Sequence, residues 1–317
     1  MELKSVTKLS MGSPTENLYL RSGMQEYKKC FVGYVDVLGF TKKVLRSDNP
    51  ETLSESFNFL LESIGRSCGL ETDFKNQDSL SVKFIWMSDN LLFYTEDNSV
   101  QKFKDISNII ADLLMITIEG GPFLYRGALS HGDFYFDREW NLYFGPAMID
   151  AIQWEKKQNW VGVMLTPNCS DFIKKNNYDS LVRRIRVDRG IGTKLIEISG
   201  PLVIEHAVPL KKEECKVPVK RGFGYWLSRS LSLGSHSFRK AAHRIGKAFL
   251  LSQPILEKPL CINWTVNTIA DKVEPSMREV LSSLECETDQ ESIKEKVNNT
   301  IKFHKYCKQF EKRTVLQ

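Results

Sequence analysis

The clearest pattern in the chain is an alternation of short apolar runs with helical spacings over its first half. Phe31 to Phe40 is an apolar, β-branched and aromatic run that carries one carboxylate, Asp36, before Gly39. It reads as a buried strand that ends in a strand-to-helix turn. Leu53, Phe57, Leu60, Leu61 and Ile64 then recur at helical spacing, and the mostly polar Ser67 to Gln77 reads as a loop. Val82 to Met87 and Leu91 to Tyr94 flank the triplet Ser88-Asp89-Asn90, which predicts a β-hairpin with Asp89 at its tip. Phe103, Ile106, Ile110, Leu113 and Leu114 mark a second amphipathic helix, stopped by Gly120-Gly121-Pro122. Phe123 to Ser130 is a strand with Arg126 in its middle. His131-Gly132 is expected to turn it into a short strand over Phe134 to Phe136, with Leu142 to Phe144 continuing the sheet. Gly145-Pro146 opens a helix through Met148, Ala151, Ile152 and Glu155, proline being favoured in a first turn, and Val161 to Leu165 is a further strand. The order β-α-β-β-α-β, with additions, is the split-βαβ or ferredoxin-like arrangement, so the predicted class is α/β (α+β).

The pattern weakens beyond residue 170. Leu195 to Val208 reads as strand material interrupted at Gly200-Pro201, Cys261 to Val266 as another strand, and Met277 to Leu284 and Ile293 to Tyr306 as helices. The expected organisation is a loose arm over residues 1–28, a core over 29–170, and an elaboration of the same domain over 171–317.

Composition narrows the classes. A chain of 317 residues can bury a substantial core as one large domain. A formal charge of +5 is a mild excess that suits a small polyanionic substrate; nucleic-acid binders usually carry a denser basic footprint. The basic stretch Arg229 to Lys247 is read first as a solvated helix face, and contact with a triphosphate or with RNA is its alternative. Seven scattered cysteines with no C-x-x-C pair argue against a disulfide framework or zinc ribbon and for a reducing compartment, the cytoplasm. Cys30 is expected to be a small buried hydrophobe. The first thirty residues lack the apolar region of a signal peptide, and no run approaches a membrane span.

Two carboxylates carry the candidate chemistry. In a split-βαβ sheet the first strand is central, so its exit and the tip of the first hairpin can meet at one edge. Asp36 and Asp89 together can hold one or two Mg²⁺ ions, which take oxygen ligands and substrate phosphates. The alternative is a capping Asp36 and an exposed turn Asp89. An ionised carboxylate in an apolar strand needs a partner or a metal.

The set Asp36-Val37-Leu38-Gly39-Phe40, Ser88-Asp89-Asn90, Arg126-Gly127-Ala128-Leu129-x-x-Gly132 and Gly145-Pro146-Ala147 through Ala151 and Glu155 resembles class III nucleotidyl cyclases. Within them it is most similar to the bacterial pyrimidine cyclases of Pycsar antiphage systems, over residues 30 to 170. The resemblance implies a homodimer with active sites between the two subunits. It implies that Asp36, Asp89 and the Val37 carbonyl bind two Mn²⁺ or Mg²⁺ ions, and that the amides around Leu38, Gly39 and Phe40 cradle the triphosphate. It further implies conversion of UTP or CTP to cyclic UMP or cyclic CMP plus diphosphate, with the product activating a separate effector during phage infection. UTP is favoured slightly, on general likeness. A purine cyclase, or a silent nucleotide-binding dimer, is the alternative.

The departures from the family pattern matter. The transition-state Asn and Arg of purine cyclases fall at Ile149 and Gln153, and neither supplies a cation. Arg126 is the candidate to replace it, the alternative being a buried ion pair with Asp or Glu. The adenine-reading positions hold Ile85 and Leu142, which argues against an ATP-specific site. His131 is expected to cap a turn, Trp86 to lie in the core, and Asn90 to orient Asp89 or satisfy the turn.

Overall fold

The computed structural model describes residues 27–46, 49–68, 80–138, 140–187, 196–211, 255–256, 259–266, 268, 270–282 and 290–315. Most of the expected N-terminal arm and the whole basic stretch Arg229 to Lys247 lie outside the described residues.

The first strand, β1 (Lys28–Val37), has two faces set by simple alternation. Phe31, Val35 and Val37 point into the main core, whereas Cys30, Val32 and Tyr34 face a second, smaller cluster. By the same parity Asp36 belongs to that second face. After the Leu38-Gly39 turn, where Gly39 takes a φ of 75° that favours glycine, the chain forms α1 (Phe40–Arg46) and α2 (Pro50–Cys68). The hairpin follows as β2 (Lys83–Met87) and β3 (Asn90–Tyr94), then α3 (Val100–Ile118) and β4 (Tyr125–Asp137). Ser99 caps α3 by accepting from the Lys102 N–H.

These elements form the expected ferredoxin-like unit. Its strands run β2-β3-β1-β4, each antiparallel to its neighbour, with α2 and α3 on the main-core face. The chain adds β5 (Leu142–Phe144), which pairs with β4, then α4 (Pro146–Lys157) and β6 (Gly162–Leu165) parallel to β4. Helix α4 covers part of the second face, burying Ala147, Ala151 and Glu155 at four-residue spacing.

Later segments follow as α5 (Pro167–Lys175), β7 (Val182–Val187), β8 (Ile196–Pro201), β9 (Val203–Glu205), β10 (Val208–Pro209), β11 (Ile255–Leu256) and β12 (Leu260–Ile262). The chain closes with α6 (Ala270–Ser282), α7 (Gln290–Lys308) and β13 (Lys312–Val315). Strands β12 and β9 extend the main sheet beyond β6 to eight strands, while β13-β8-β7 and β10-β11 form two small sheets.

Three expectations are corrected. His131-Gly132 does not turn the chain: β4 runs unbroken from Tyr125 to Asp137 and pairs with β1 through both residues. A Cβ at Gly132 would meet Ala147 of α4 only at ordinary contact distance, 3.6 Å, so the glycine neither turns the strand nor is demanded by packing space. Gly200 and Pro201 lie inside β8, and the chain bends at Leu202 to pass from the small sheet into the main one. The strand expected over Cys261 to Val266 stops at Ile262, and Asn263 to Val266 is buried irregular chain.

One glycine fixes the spacing of the central strands. A Cβ at Gly127 would sit 2.5 Å from the Tyr34 carbonyl oxygen and 3.1 Å from Val163. Gly127→Ala is therefore expected to destabilise the fold by about 1–3 kcal/mol through overpacking. A urea midpoint unchanged from wild type would contradict this.

Candidate active site

The register brings the separated residues together. Asp36 on β1 lies between Asn90 on β3 and Arg126 on β4. One residue on, the Val37 N–H donates to the Asp89 carbonyl (2.9 Å), which ties the strand exit to the hairpin tip. Ser88 takes a positive φ of 58° in that two-residue connection, and the Asn90 side chain donates to the Asp89 carboxylate (2.7 Å). Asn90 thus orients Asp89.

Arg126 is buried in the opposite wall. Its Nε donates to Glu155 Oε1 at 2.7 Å, and one terminal nitrogen contacts the same oxygen. That nitrogen also lies 3.4 Å from Asp36 Oδ2, and the other donates to the Gln158 carbonyl at 3.3 Å. The structure therefore places Arg126 in a buried ion pair, with its fork turned mainly to Glu155. In the sequence Glu155 stood out as part of the helix pattern and of the block that carries the resemblance, not as the partner of Arg126. The signal that marks it is its place on the same stripe as Ala147 and Ala151, the stripe that packs on the sheet.

The site is short of positive charge. The Asp36 carboxyl is pushed up to about 7 by burial and by the nearby Glu155, more than Arg126 draws it down; Asp89 adds to the rise and Lys211 opposes it. Tyr34, two residues earlier on the same face, is raised to about 12 by burial and by Glu155, Asp36 and Asp89. Three carboxylates thus act on one patch of the sheet.

Among the described residues no cluster of three or more His, Cys, Asp or Glu side chains is assembled as a complete metal site. Two carboxylates and a backbone carbonyl nonetheless fit Mg²⁺ or Mn²⁺, which commonly take one or two carboxylates and fill the remaining positions with water and substrate phosphates. The unbalanced negative charge at Asp36 is what a divalent cation would neutralise.

The turn after Asp36 is partly engaged. The Leu38 N–H donates to the Leu124 carbonyl (2.9 Å); among the described residues the Gly39 and Phe40 amides show no backbone acceptor. Ile149 is 57% exposed and Gln153 is exposed, both away from the buried stripe of α4. Ile85 lines the second face on β2, whereas Leu142 is exposed on β5, on the other side of β1 and β4.

Trp86 faces the opposite, helix-covered side and packs on Phe57, so it belongs to the core. His131 stacks on Phe172 with 3.7 Å between ring centroids and meets Asn98, and burial lowers its pKa; it caps no turn. Cys30 is fully buried, and burial raises its thiol to about 12.

No protein-family model matches the chain, and neither does any curated protein. Among solved structures it matches the catalytic core of a rhodopsin-guanylyl cyclase with converted specificity, in complex with ATPαS. The TM-score is 0.37 at 15% identity, covering 55% of this chain and 94% of that one. A likeness at that level assigns neither a family nor an activity.

Proposed function

We propose that the protein is a nucleotidyl cyclase that converts a pyrimidine triphosphate, UTP or CTP, to its 3′,5′-cyclic monophosphate and diphosphate. The observation that carries this reading is the approach of Asp89 on the hairpin tip to the end of β1 that carries Asp36, with burial and Glu155 raising the Asp36 carboxyl to about 7. The four sequence blocks that resemble class III cyclases fall on the elements that build this edge and the helix beside it.

Asp36, Asp89 and the Val37 carbonyl would hold the ions. Bound there, Mn²⁺ or Mg²⁺ supplies screening of the phosphates and a lowered pKa for the ribose 3′-hydroxyl. The 3′-oxygen attacks the α-phosphorus, the bond to the β-phosphate breaks, and diphosphate leaves. Gly39 and Phe40 present amides to the triphosphate, with Leu38 shaping the turn. Arg126 fixes Asp36 and Glu155 in place and adds positive charge behind the site. The apolar Ile85, on the second face, suits a base read without the Lys that helps select adenine; Leu142 lies exposed on β5, apart from it.

The active form is a homodimer. Trp140, Leu142, Phe144 and Ile149 are all exposed apolar side chains on or beside β5 and the start of α4, the elements next to the second face. Large exposed apolar residues clustered on one side suit a partner surface. Among the described residues no helix is long and apolar enough to cross a membrane. The proposed setting is the cytoplasm, with the cyclic product signalling to a separate effector in antiphage defence.

The test is to incubate the protein with each labelled ribonucleoside triphosphate and Mn²⁺ and to separate the products. A cyclic pyrimidine nucleotide is expected from wild type and is lost in Asp36→Asn and Asp89→Asn. A purine product would move the reading to the alternative cyclase. No cyclic product from any nucleotide would overturn it.

A further inference from the structure

We infer that the cavity between α3 and β7 binds a small phosphate-type dianion, either inorganic phosphate or the phosphoryl group of a small phosphomonoester. The site takes nothing from the chemistry at Asp36. Helix α3 packs on the main-core face of the sheet, whereas Asp36 belongs to the other face.

Lys104, Asn108 and Asp112 recur every four residues and so share one face of α3. That face meets the start of β7, and a cavity of about 250 Å³ opens there, with Arg183 and Arg184 in its other wall. Arg183 is buried, at 3% exposure. Its terminal nitrogens are engaged by α3. One donates to the Asn108 carbonyl (3.3 Å) and side-chain oxygen (3.2 Å), and the other to the Asp112 carboxylate. Its Nε is buried too, and it has no hydrogen-bond partner. A buried donor left unsatisfied is costly, more so on a charged group, and calls for an explanation.

Pinning the small sheet to α3 accounts for the terminal nitrogens of Arg183 alone. It accounts neither for the idle Nε nor for two more cations in the same walls. Lys104 has no ion pair among the described residues. Arg184 lies 3.8 Å from Glu197, a carboxylate it shares with Arg186 at 3.6 Å. Like charges held around one cavity repel one another, and an anion between them removes that cost. The charge balance selects the ligand. Asp112 offsets one of the three lining cations, and the two that remain match a phosphate or phosphomonoester, which carries close to two negative charges near neutral pH. The Asn108 oxygen accepts from Arg183, which leaves its NH₂ group as a further donor to a ligand oxygen. A cavity of about 250 Å³ lies just below the range of roughly 300–1,000 Å³ usual for larger ligands, so it suits a phosphoryl group on a short stem.

The experiment is calorimetry on the full-length protein with EDTA present, so that no divalent cation can carry phosphate to Asp36. Inorganic phosphate and glycerol phosphate are titrated separately into wild type, Lys104→Met, Lys104→Arg and Asp36→Asn. Wild type is expected to bind at least one of the two, and whichever binds identifies the source of the phosphoryl group. Lys104→Met is expected to bind about tenfold more weakly, the scale of one charge-assisted contact, and Lys104→Arg to recover most of the loss. Asp36→Asn is expected to bind as wild type does. Lys104 is half-buried and outside the Arg183 contacts, so the urea midpoint of Lys104→Met is expected to match wild type, which separates lost binding from lost fold. No binding of either compound, or equal affinity in wild type and Lys104→Met, overturns the assignment. Binding that disappears in Asp36→Asn would place the anion at the edge of β1 and overturns it as well. A protein that binds phosphate through Lys104 yet forms no cyclic nucleotide would sink the cyclase reading and leave this site standing.

Discussion

Replacing Arg126 with alanine is expected to destabilise the protein by about 3–5 kcal/mol, the largest stability loss of any single change at the site. Arg126 and Glu155 are both nearly inaccessible, with side-chain exposures of 9% and 3%. Removing the guanidinium strands the Glu155 carboxylate in a buried position and takes away the nearest cation to Asp36. It also leaves the Gln158 carbonyl without that donor. The pair itself need not be stabilising relative to apolar residues, because desolvation offsets much of its attraction. Arg126→Met combined with Glu155→Met is therefore expected to recover much of the lost stability. Urea unfolding of the three proteins checks both statements. A loss below about 1 kcal/mol in Arg126→Ala would show that the pair is solvated and not buried as described.

The second large effect concerns Asp36 and pH. Its carboxyl titrates at about 7 in the folded protein and at 3.8 when unperturbed. Between these values the folded state holds a proton that the unfolded state has released. Stability from this group therefore falls as pH rises from about 4 to about 7, and the cost is fully present above that window. A shift of this size corresponds to on the order of 4 kcal/mol. Asp36→Asn removes the charge and keeps the shape, so it is expected to be more stable than wild type at pH 8 and to lose the slope between pH 4 and 7. Thermal unfolding across that range is the measurement. Asp36→Asn less stable than wild type at pH 8 would mean that the carboxylate is well compensated without any cation. Added Mn²⁺ is expected to raise the wild-type midpoint at pH 8, since binding to the folded state alone stabilises it, and to leave Asp36→Asn nearly unmoved.

The ferredoxin-like unit was readable because each of its elements carries its own period. Phe31, Val35 and Val37 alternate with Cys30, Val32 and Tyr34, and the apolar positions of α2 and α3 recur at three and four. That topology let the end of β1 and the hairpin tip lie side by side, as the Val37 N–H to Asp89 carbonyl bond shows, but left open whether the two carboxylates act together. The partner of Arg126 was not readable in the same way, since a strand arginine demands an acid without saying which. Glu155 answers it from 29 residues away, and only the four-residue spacing from Ala147 through Ala151 points to the sheet. His131-Gly132 looked like a breaker because glycine usually marks a turn, whereas here β4 continues through both residues, held by its pairing with β1.

We propose that Asp36 and Asp89 form one cation site where β1 ends beside the hairpin tip. The most direct test is to count bound Mn²⁺ by electron paramagnetic resonance in the presence of 3′-deoxy-UTP, which lacks the attacking hydroxyl. Wild type is expected to bind about two ions per chain, as two-metal phosphoryl chemistry requires. Asp36→Asn and Asp89→Asn are each expected to lose at least one. Equal Mn²⁺ binding in wild type and both variants would contradict the claim.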